Sequence, residues 1–243
     1  MRKFVKYLLV CIVILGLAIA AIVTLRKRSI RVEDVLAVYK EQAPYSGLTI
    51  TYPLNETLFP PEIVPPTFRW KDGSSQSGAW LITIKFQDQG QMNFVSNSVQ
   101  WMPNAEDWEI IKKKSLEKDA EVTILGVTRS NPVRIISKGR ISIKTSKDEV
   151  GVPLFYRDVD LPFINAVKDP SHIRWRFGTI SSPRQPPVVL ENLPVCGNCH
   201  SFPRDGKILA MDVDYANSKG SYVITPVAEE MTLATSDVIT WDD

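Results

Sequence analysis

The longest uncharged hydrophobic run of the chain lies near its N-terminus. Tyr7 to Leu25 form nineteen positions without a charged side chain. Because a helix of this length spans ~30 Å of hydrocarbon, we expect residues 1–28 to be a transmembrane signal-anchor helix. A cleaved signal peptide is the alternative, since Ala18-Ile19-Ala20 has the small residues of a cleavage site. The run continues past that site through Ile22, Val23 and Leu25, which favours an uncleaved anchor.

The periodicity changes after this run. Apolar residues at helical spacing in 29–46 predict a juxtamembrane helix or linker. From residue 47 onward, apolar and polar positions alternate with period two, which is typical of β-strands. A short helix interrupts the pattern at 105–116. The predicted strands are Leu48–Tyr52, Trp80–Phe86, 93–101, Glu121–Thr128 and Arg134–Thr145.

Short strands with regular turn signals predict a mainly β fold, with a β-sandwich at residues 47–147. The proline-rich stretch from Tyr52 to Trp70 resembles the opening of immunoglobulin-like and fibronectin type III modules. In those modules such a segment precedes a strand with a core tryptophan, so the resemblance implies an immunoglobulin-like sandwich. The tryptophans of this region are expected in the core; the alternative is that one of them forms a sugar-binding platform.

Residues 148–243 form a different region, interrupted by prolines and weakly periodic. One strand is predicted before the cysteines, at Ile173–Phe177, within an irregular segment that wraps around whatever residues 195–200 hold. A β-hairpin is expected near the C-terminus, with strands at 208–213 and 220–227.

Charge and residue counts exclude several classes of function. Residues 1–31 hold seven of the 29 basic residues and no acidic one, which leaves 22 basic and 27 acidic residues in 32–243, a net charge of −5. A mildly acidic body argues against nucleic-acid binding. Three cysteines and two histidines exclude a disulfide framework, a four-thiolate zinc site and a multi-histidine metal site.

The most informative motif is CxxCH, at Cys196-Gly197-Asn198-Cys199-His200. Two thiols at this spacing bond to the two vinyl groups of one haem, and the following histidine reaches the iron. The sequence therefore predicts one covalent haem c held by Cys196 and Cys199, with His200 as an axial ligand. A zinc site that also uses His172 and a redox-active dithiol are the alternatives.

The second axial position has two candidates. Met211 follows His200 by eleven residues and is the first choice; His172 is the alternative. Methionine ligation raises the reduction potential of haem iron. Met92, Met102 and Met231 are more remote in sequence, which says little about their distance in space.

The motif and its surroundings also resemble a known group of proteins. The stretch Leu193–Phe202, with Asp205-Gly206-Lys207 and Met211–Tyr215, is similar to exported bacterial proteins that join a haem c motif to TolB-type β-propeller repeats. The resemblance covers roughly residues 150–243 and implies a haem and an envelope location. A propeller needs at least four blades, so the propeller is expected to be truncated here, or completed by a partner protein at residues 201–243.

These observations predict a membrane-anchored monohaem c-type cytochrome that transfers single electrons. Because haem c is attached outside the bacterial inner membrane, we expect residues 29–243 to be periplasmic; the basic residues flanking the anchor do not decide the orientation. No convincing set of catalytic acids and bases is present, which argues against an enzyme. The alternatives are an envelope scaffold that binds polysaccharide or protein, and a haem enzyme or gas sensor with an open iron position.

Overall fold

The structure, a computed structural model, describes residues 29–193, 196–215 and 218–240. The described chain divides into two compact units. The first contains residues 29–61 and 65–147, and the second contains residues 62–64 and 148–240. The predicted anchor at 1–28 lies outside the described residues.

The first unit contains two helices and eight strands. The helices are α1 (Val32–Val38) and α2 (Ala105–Lys114). The strands are β1 (Ser46–Tyr52), β2 (Thr57–Phe59), β3 (Phe68–Asp72), β4 (Ala79–Lys85), β5 (Gln91–Ser96), β6 (Gln100–Trp101), β7 (Ala120–Val127) and β8 (Ile135–Thr145).

These strands are hydrogen-bonded in the order β5-β4-β7-β8-β1-β3-β6, and β2 pairs with β8. The pairs along the path are antiparallel except β1 with β8, and β2 is parallel to β8. The path folds back on itself, because side chains from distant strands touch. The rings of Trp70 on β3 and Trp80 on β4 are 6.0 Å apart, and those of Phe94 on β5 and Trp101 on β6 are 4.5 Å apart.

Both helices pack an apolar side on these strands. Val35 of α1 is fully buried in a cluster with Leu81, Leu125 and neighbouring residues of β4 and β7. In α2, the Trp108 ring meets Phe59 edge to face at 5.3 Å. The N-terminus of α2 is capped by Asn104, whose Oδ1 accepts the Asp107 backbone N–H at 2.8 Å.

A carboxylate links three strands of the first unit. Oδ2 of Asp72 on β3 accepts hydrogen bonds from Trp80 Nε1 at 2.9 Å and from Ser137 Oγ at 2.7 Å. Burial raises the pKa of Asp72, but these bonds and one from the Ser74 backbone N–H outweigh it, so the pKa lies below its ordinary value. The Asp72 carboxylate leaves no room for a side chain at position 126, because a Cβ on Gly126 would lie 2.5 Å from Asp72 Oδ2.

The second unit contains one α-helix and seven strands among the described residues. The helix is α3 (Ile164–Lys168), followed by a 3-10 turn at Pro170–His172. The strands are β9 (Leu154–Asp158), β10 (Arg174–Gly178), β11 (Val188–Leu190), β12 (Cys196–Ser201), β13 (Ile208–Tyr215), β14 (Ser218–Pro226) and β15 (Val238–Ile239).

Two antiparallel sheets form this unit, each with its strands in chain order. One is β9-β10-β11 and the other is β12-β13-β14-β15. Between them lies one core cluster, in which Trp175 and Met211 are both fully buried. Alternation along β13 places Leu209, Met211 and Val213 on the buried face.

The prediction of a mainly β fold is confirmed. The predicted irregular segment before the cysteines differs, because the structure contains a three-stranded sheet and a short helix where one strand was expected. The prolines that obscure the periodicity lie next to these elements, as Pro153 and Pro187 do immediately before β9 and β11. Likewise, the expected C-terminal hairpin is the middle of a four-stranded sheet.

The tryptophans predicted to fill the first core do so in large part. Trp70, Trp80 and Trp108 are each at most 8% exposed. A sugar platform needs an open ring face, so these three side chains do not form one. In the described ranges, no helix combines the length and the apolar character needed to cross a membrane.

We predict that Gly126→Ala destabilises the first unit by about 1–3 kcal/mol, as for other overpacked sites. The added methyl group meets Asp72 and Ser77, whose Oγ would lie 2.6 Å away. Gly47→Ala is the matched control, because nothing lies within 4 Å of a Cβ there. Urea unfolding of both variants is the measurement. Equal stability losses for the two would contradict the account of Gly126.

We predict that Asp72→Asn lowers the stability at pH 7 and that the deficit shrinks in acid. The carboxyl of Asp72 has a pKa of ~3.9 in the unfolded chain and a lower pKa in the folded protein. The stability that the ionised carboxylate adds is therefore complete above the unfolded pKa and is lost as the pH falls through the folded pKa. Chemical unfolding of wild type and variant between neutral and acidic pH measures the difference. A deficit that does not change with pH would contradict the prediction.

Candidate haem-binding site

The CxxCH motif forms strand β12, which pairs with β13 through an irregular register. Gly197 lies opposite Val213, and His200 lies opposite Met211. The motif strand therefore advances three residues while its partner advances two, which is a β-bulge at Asn198 and Cys199. Because side chains alternate along a regular strand, the extra residue places Gly197 and His200 on the same face of the sheet.

Gly197 sits against the buried core. A Cβ at this position would lie 2.5 Å from Met211 Sδ, 2.8 Å from Trp175 Cη2 and 2.9 Å from Leu193 Cδ1. Distances this short do not occur between real side-chain carbons and their neighbours, so only glycine fits without repacking. The first variable position of the motif thus lets the strand lie directly on Trp175.

Arg157 of β9 holds the middle of the motif. Its Nη1 donates to the Gly197 carbonyl oxygen at 2.9 Å and to Asn198 Oδ1 at 3.2 Å. The guanidinium also lies over the Phe163 ring, 5.8 Å from its centroid. A charged donor that binds a backbone carbonyl and a side-chain amide fixes the bulge against the three-stranded sheet.

His200 lies between two phenylalanines. Its ring centroid is 4.8 Å from that of Phe155 and 6.1 Å from that of Phe202, both in edge-to-face geometry. The two phenylalanine rings also meet each other, at 5.2 Å. His200 remains exposed, so the aromatic contacts orient the imidazole without enclosing it.

A cavity of about 1100 Å³ opens beside this imidazole, within the second unit. Its lining is largely apolar and draws on β9, β10, β11, β12 and the segment after β14. Besides His200, the cavity is lined by Phe155, Phe177, Phe202, Val188 and Met231, and by the exposed carboxylates Glu229 and Glu230.

The predicted thiols differ in what the structure describes. Cys199 is exposed and free of any disulfide, so its sulfur is accessible to a reactant. The Cys196 backbone pairs with Asp214, and its side chain lies outside the described part. In the described ranges, no group of three or more His, Cys, Asp or Glu side chains is placed to hold a metal ion.

The two predicted distal ligands occupy other surroundings. Met211 is fully buried in the core cluster and does not line the cavity, although its backbone lies opposite His200. His172 has its Nδ1 3.2 Å from Asp160 Oδ2 and its Nε2 3.5 Å from Asp169 Oδ2, so carboxylates face both ring nitrogens.

Sequence reasoning missed the contribution of Arg157 and the place of Met231. No local motif marks Arg157, whose role depends on the pairing of β9 with β10. Met231 stands 31 residues after His200 and carried no signal beyond its residue type.

No protein-family model matches the chain, and no curated protein gives a match in sequence. The function therefore has to be argued from the residues and their geometry.

We predict that Arg157→Met loosens the motif strand at a cost of about 1.5–3 kcal/mol, the range for hydrogen bonds made by charged groups. Hydrogen exchange of the amides at 196–201 should accelerate together with the loss of stability. Arg184→Met is the control, because Arg184 is an exposed arginine of the same unit. Unchanged exchange at 196–201 in Arg157→Met would show that this arginine does not hold the motif.

Proposed function

We propose that this chain is a membrane-anchored, monohaem c-type cytochrome-like protein that transfers single electrons in the bacterial cell envelope. The observation that carries the proposal is the position of His200, whose imidazole lines a large apolar cavity. In sequence, His200 directly follows Cys199, which is exposed and free of any disulfide. Imidazole beside apolar walls is the setting in which proteins hold haem iron.

His200 and the apolar lining of the cavity fit a haem, and the exposed Cys199 lies next to His200 in strand β12 without lining the cavity itself. Each thiol of Cys196 and Cys199 adds across one vinyl group: the sulfur bonds to one carbon, the thiol hydrogen goes to the other, and no oxidant is required. The cavity volume of about 1100 Å³ is slightly larger than the range of typical small-molecule sites, about 300–1000 Å³. When bound, the group supplies reversible one-electron chemistry at its iron.

The chain's own residues then have defined tasks. Phe155 and Phe202 orient the His200 imidazole, and Arg157 fixes the bulge that carries Asn198 and Cys199. Apolar side chains such as Val188 and Phe177 would contact the apolar surface of the haem.

The proposed location follows from the attachment chemistry. Haem c is attached on the outer face of the bacterial inner membrane, so the proposal places Tyr7–Leu25 in that membrane and the body in the periplasm. We also propose that the first unit is an immunoglobulin-like sandwich and that the second contains a propeller-like blade. The aromatic contacts between distant strands support the sandwich, and the four-stranded antiparallel order β12-β13-β14-β15 supports the blade.

A second candidate function is an envelope scaffold that binds another protein at residues 201–243. The outer face of the β13-β14-β15 sheet favours it, because large apolar side chains there are exposed: Ile208, Tyr222, Ile224 and Ile239. This function does not need a haem, whereas electron transfer does.

We predict that the full chain, expressed with haem-maturation machinery, carries a haem that denaturing extraction does not remove. Cys199→Ser should leave at most one thioether and shift the α band of the reduced protein to longer wavelength. Cys11→Ser is the matched control, because this cysteine lies outside the motif and should leave the α band unchanged. Absorption spectra of denatured, reduced samples make the comparison.

Wild-type protein without covalent haem would contradict the electron-transfer proposal and favour the scaffold. If haem is present, carbon monoxide separates the remaining functions. A reduced spectrum that does not respond to carbon monoxide supports an electron carrier with two axial ligands. A spectrum that changes on adding carbon monoxide indicates an open iron position, as in a sensor or haem enzyme.

A further inference from the structure

The cavity beside His200 contains one other side chain with a soft donor atom. Met231 follows β14, and its backbone N–H donates to the Val189 carbonyl oxygen at 2.8 Å. Met231 also forms a β-bridge with Leu190 of β11. The residue is therefore held against the three-stranded sheet by backbone contacts, whatever its side chain binds.

Met231 is only 7% exposed and lines the same cavity as His200. The two residues reach the cavity from different elements, His200 from β12 and Met231 from the segment attached to β11. Among the described lining residues, the only side chains with donor atoms for iron are His200, Met231, Glu229 and Glu230. Both glutamates are exposed, and a solvated carboxylate is a poor competitor of a thioether for low-spin haem iron.

The ligands favoured by the sequence are less well placed. Met211 has its sulfur against the core at Gly197 and does not line the cavity. Ligation by His172 would require the imidazole to leave Asp160 or Asp169. Neither residue shares a cavity wall with His200, whereas Met231 does.

We infer that Met231 is the second axial ligand, with its Sδ completing the coordination begun by His200. This inference rests on the proposed haem c. It goes beyond that proposal, because it makes the iron six-coordinate and the reduction potential higher than two histidines would give. It also assigns a binding role to the segment between β14 and β15, which backbone contacts hold against β11.

The test compares volume-conserving substitutions in the full-length, haem-loaded chain. Met231→Leu removes the sulfur with little change in packing, and Met211→Leu is the matched control in the same core cluster. We expect Met231→Leu to keep the covalent haem and to lose the methionine–iron charge-transfer band of the oxidised protein. The reduced variant should also bind carbon monoxide. Met211→Leu should retain the band and stay unresponsive to the gas.

Met231→His adds a rescue. It should restore a low-spin spectrum without the methionine band and with a lower reduction potential than the wild type. A protein in which Met231 only fills the core would show none of these changes, because thermal stability would then be the only property to move.

The outcomes separate the two proposals. Covalent haem whose band persists in Met231→Leu but disappears in Met211→Leu overturns the assignment of Met231 and leaves the cytochrome proposal standing. Loss of the low-spin spectrum on replacing His172 by glutamine also overturns it, as does a wild-type haem that binds carbon monoxide. Wild-type chain without covalent haem overturns both.

Discussion

The site depends on the close approach of strand β12 to the core, which the absence of a side chain at Gly197 permits. Gly197 lets strand β12 lie on Trp175, and Met211 fills the space that any side chain at 197 would need. Strand β12 pairs with β13 in a register that contains a bulge at Asn198 and Cys199, and this bulge brings His200 to the same face as Gly197. The contact at Gly197 holds the Met211 sulfur in the core, so the proposed haem would take its second iron ligand from elsewhere in the fold.

Both sheets of the second unit contribute residues to the lining of the cavity. The four-stranded sheet contributes His200, and the three-stranded sheet contributes Phe155 and Val188. Arg157 of the three-stranded sheet binds the motif at the Gly197 carbonyl oxygen. Charged and polar contacts fix the backbone of the motif, and two phenylalanine rings orient the exposed imidazole. A haem attached there would contact apolar side chains and would lie near the carboxylates of Glu229 and Glu230. These negative charges would lower the reduction potential of the iron, whereas a thioether ligand would raise it.

Much of the fold could be predicted from local patterns. Alternation in Trp80–Phe86 and Glu121–Thr128 marks central strands, and Trp70, Trp80 and Trp108 are in the core as expected. Strands β9 and β11 were missed because each is short and follows a proline, which leaves too few positions for a period to emerge. Within the site, the spacing of the CxxCH residues is what predicts haem attachment from the sequence. The sequence could not place Met211, Met231 or Arg157 relative to His200, because their positions depend on sheet pairing between segments far apart in the chain.

The most direct test is peptide mass spectrometry of the mature full-length protein made with haem-maturation machinery. The account predicts one peptide, spanning residues 196–200, whose mass has increased by a single haem, with both cysteines of that peptide resistant to alkylation. An unmodified peptide with two alkylated thiols, or one with a disulfide between Cys196 and Cys199, would contradict it.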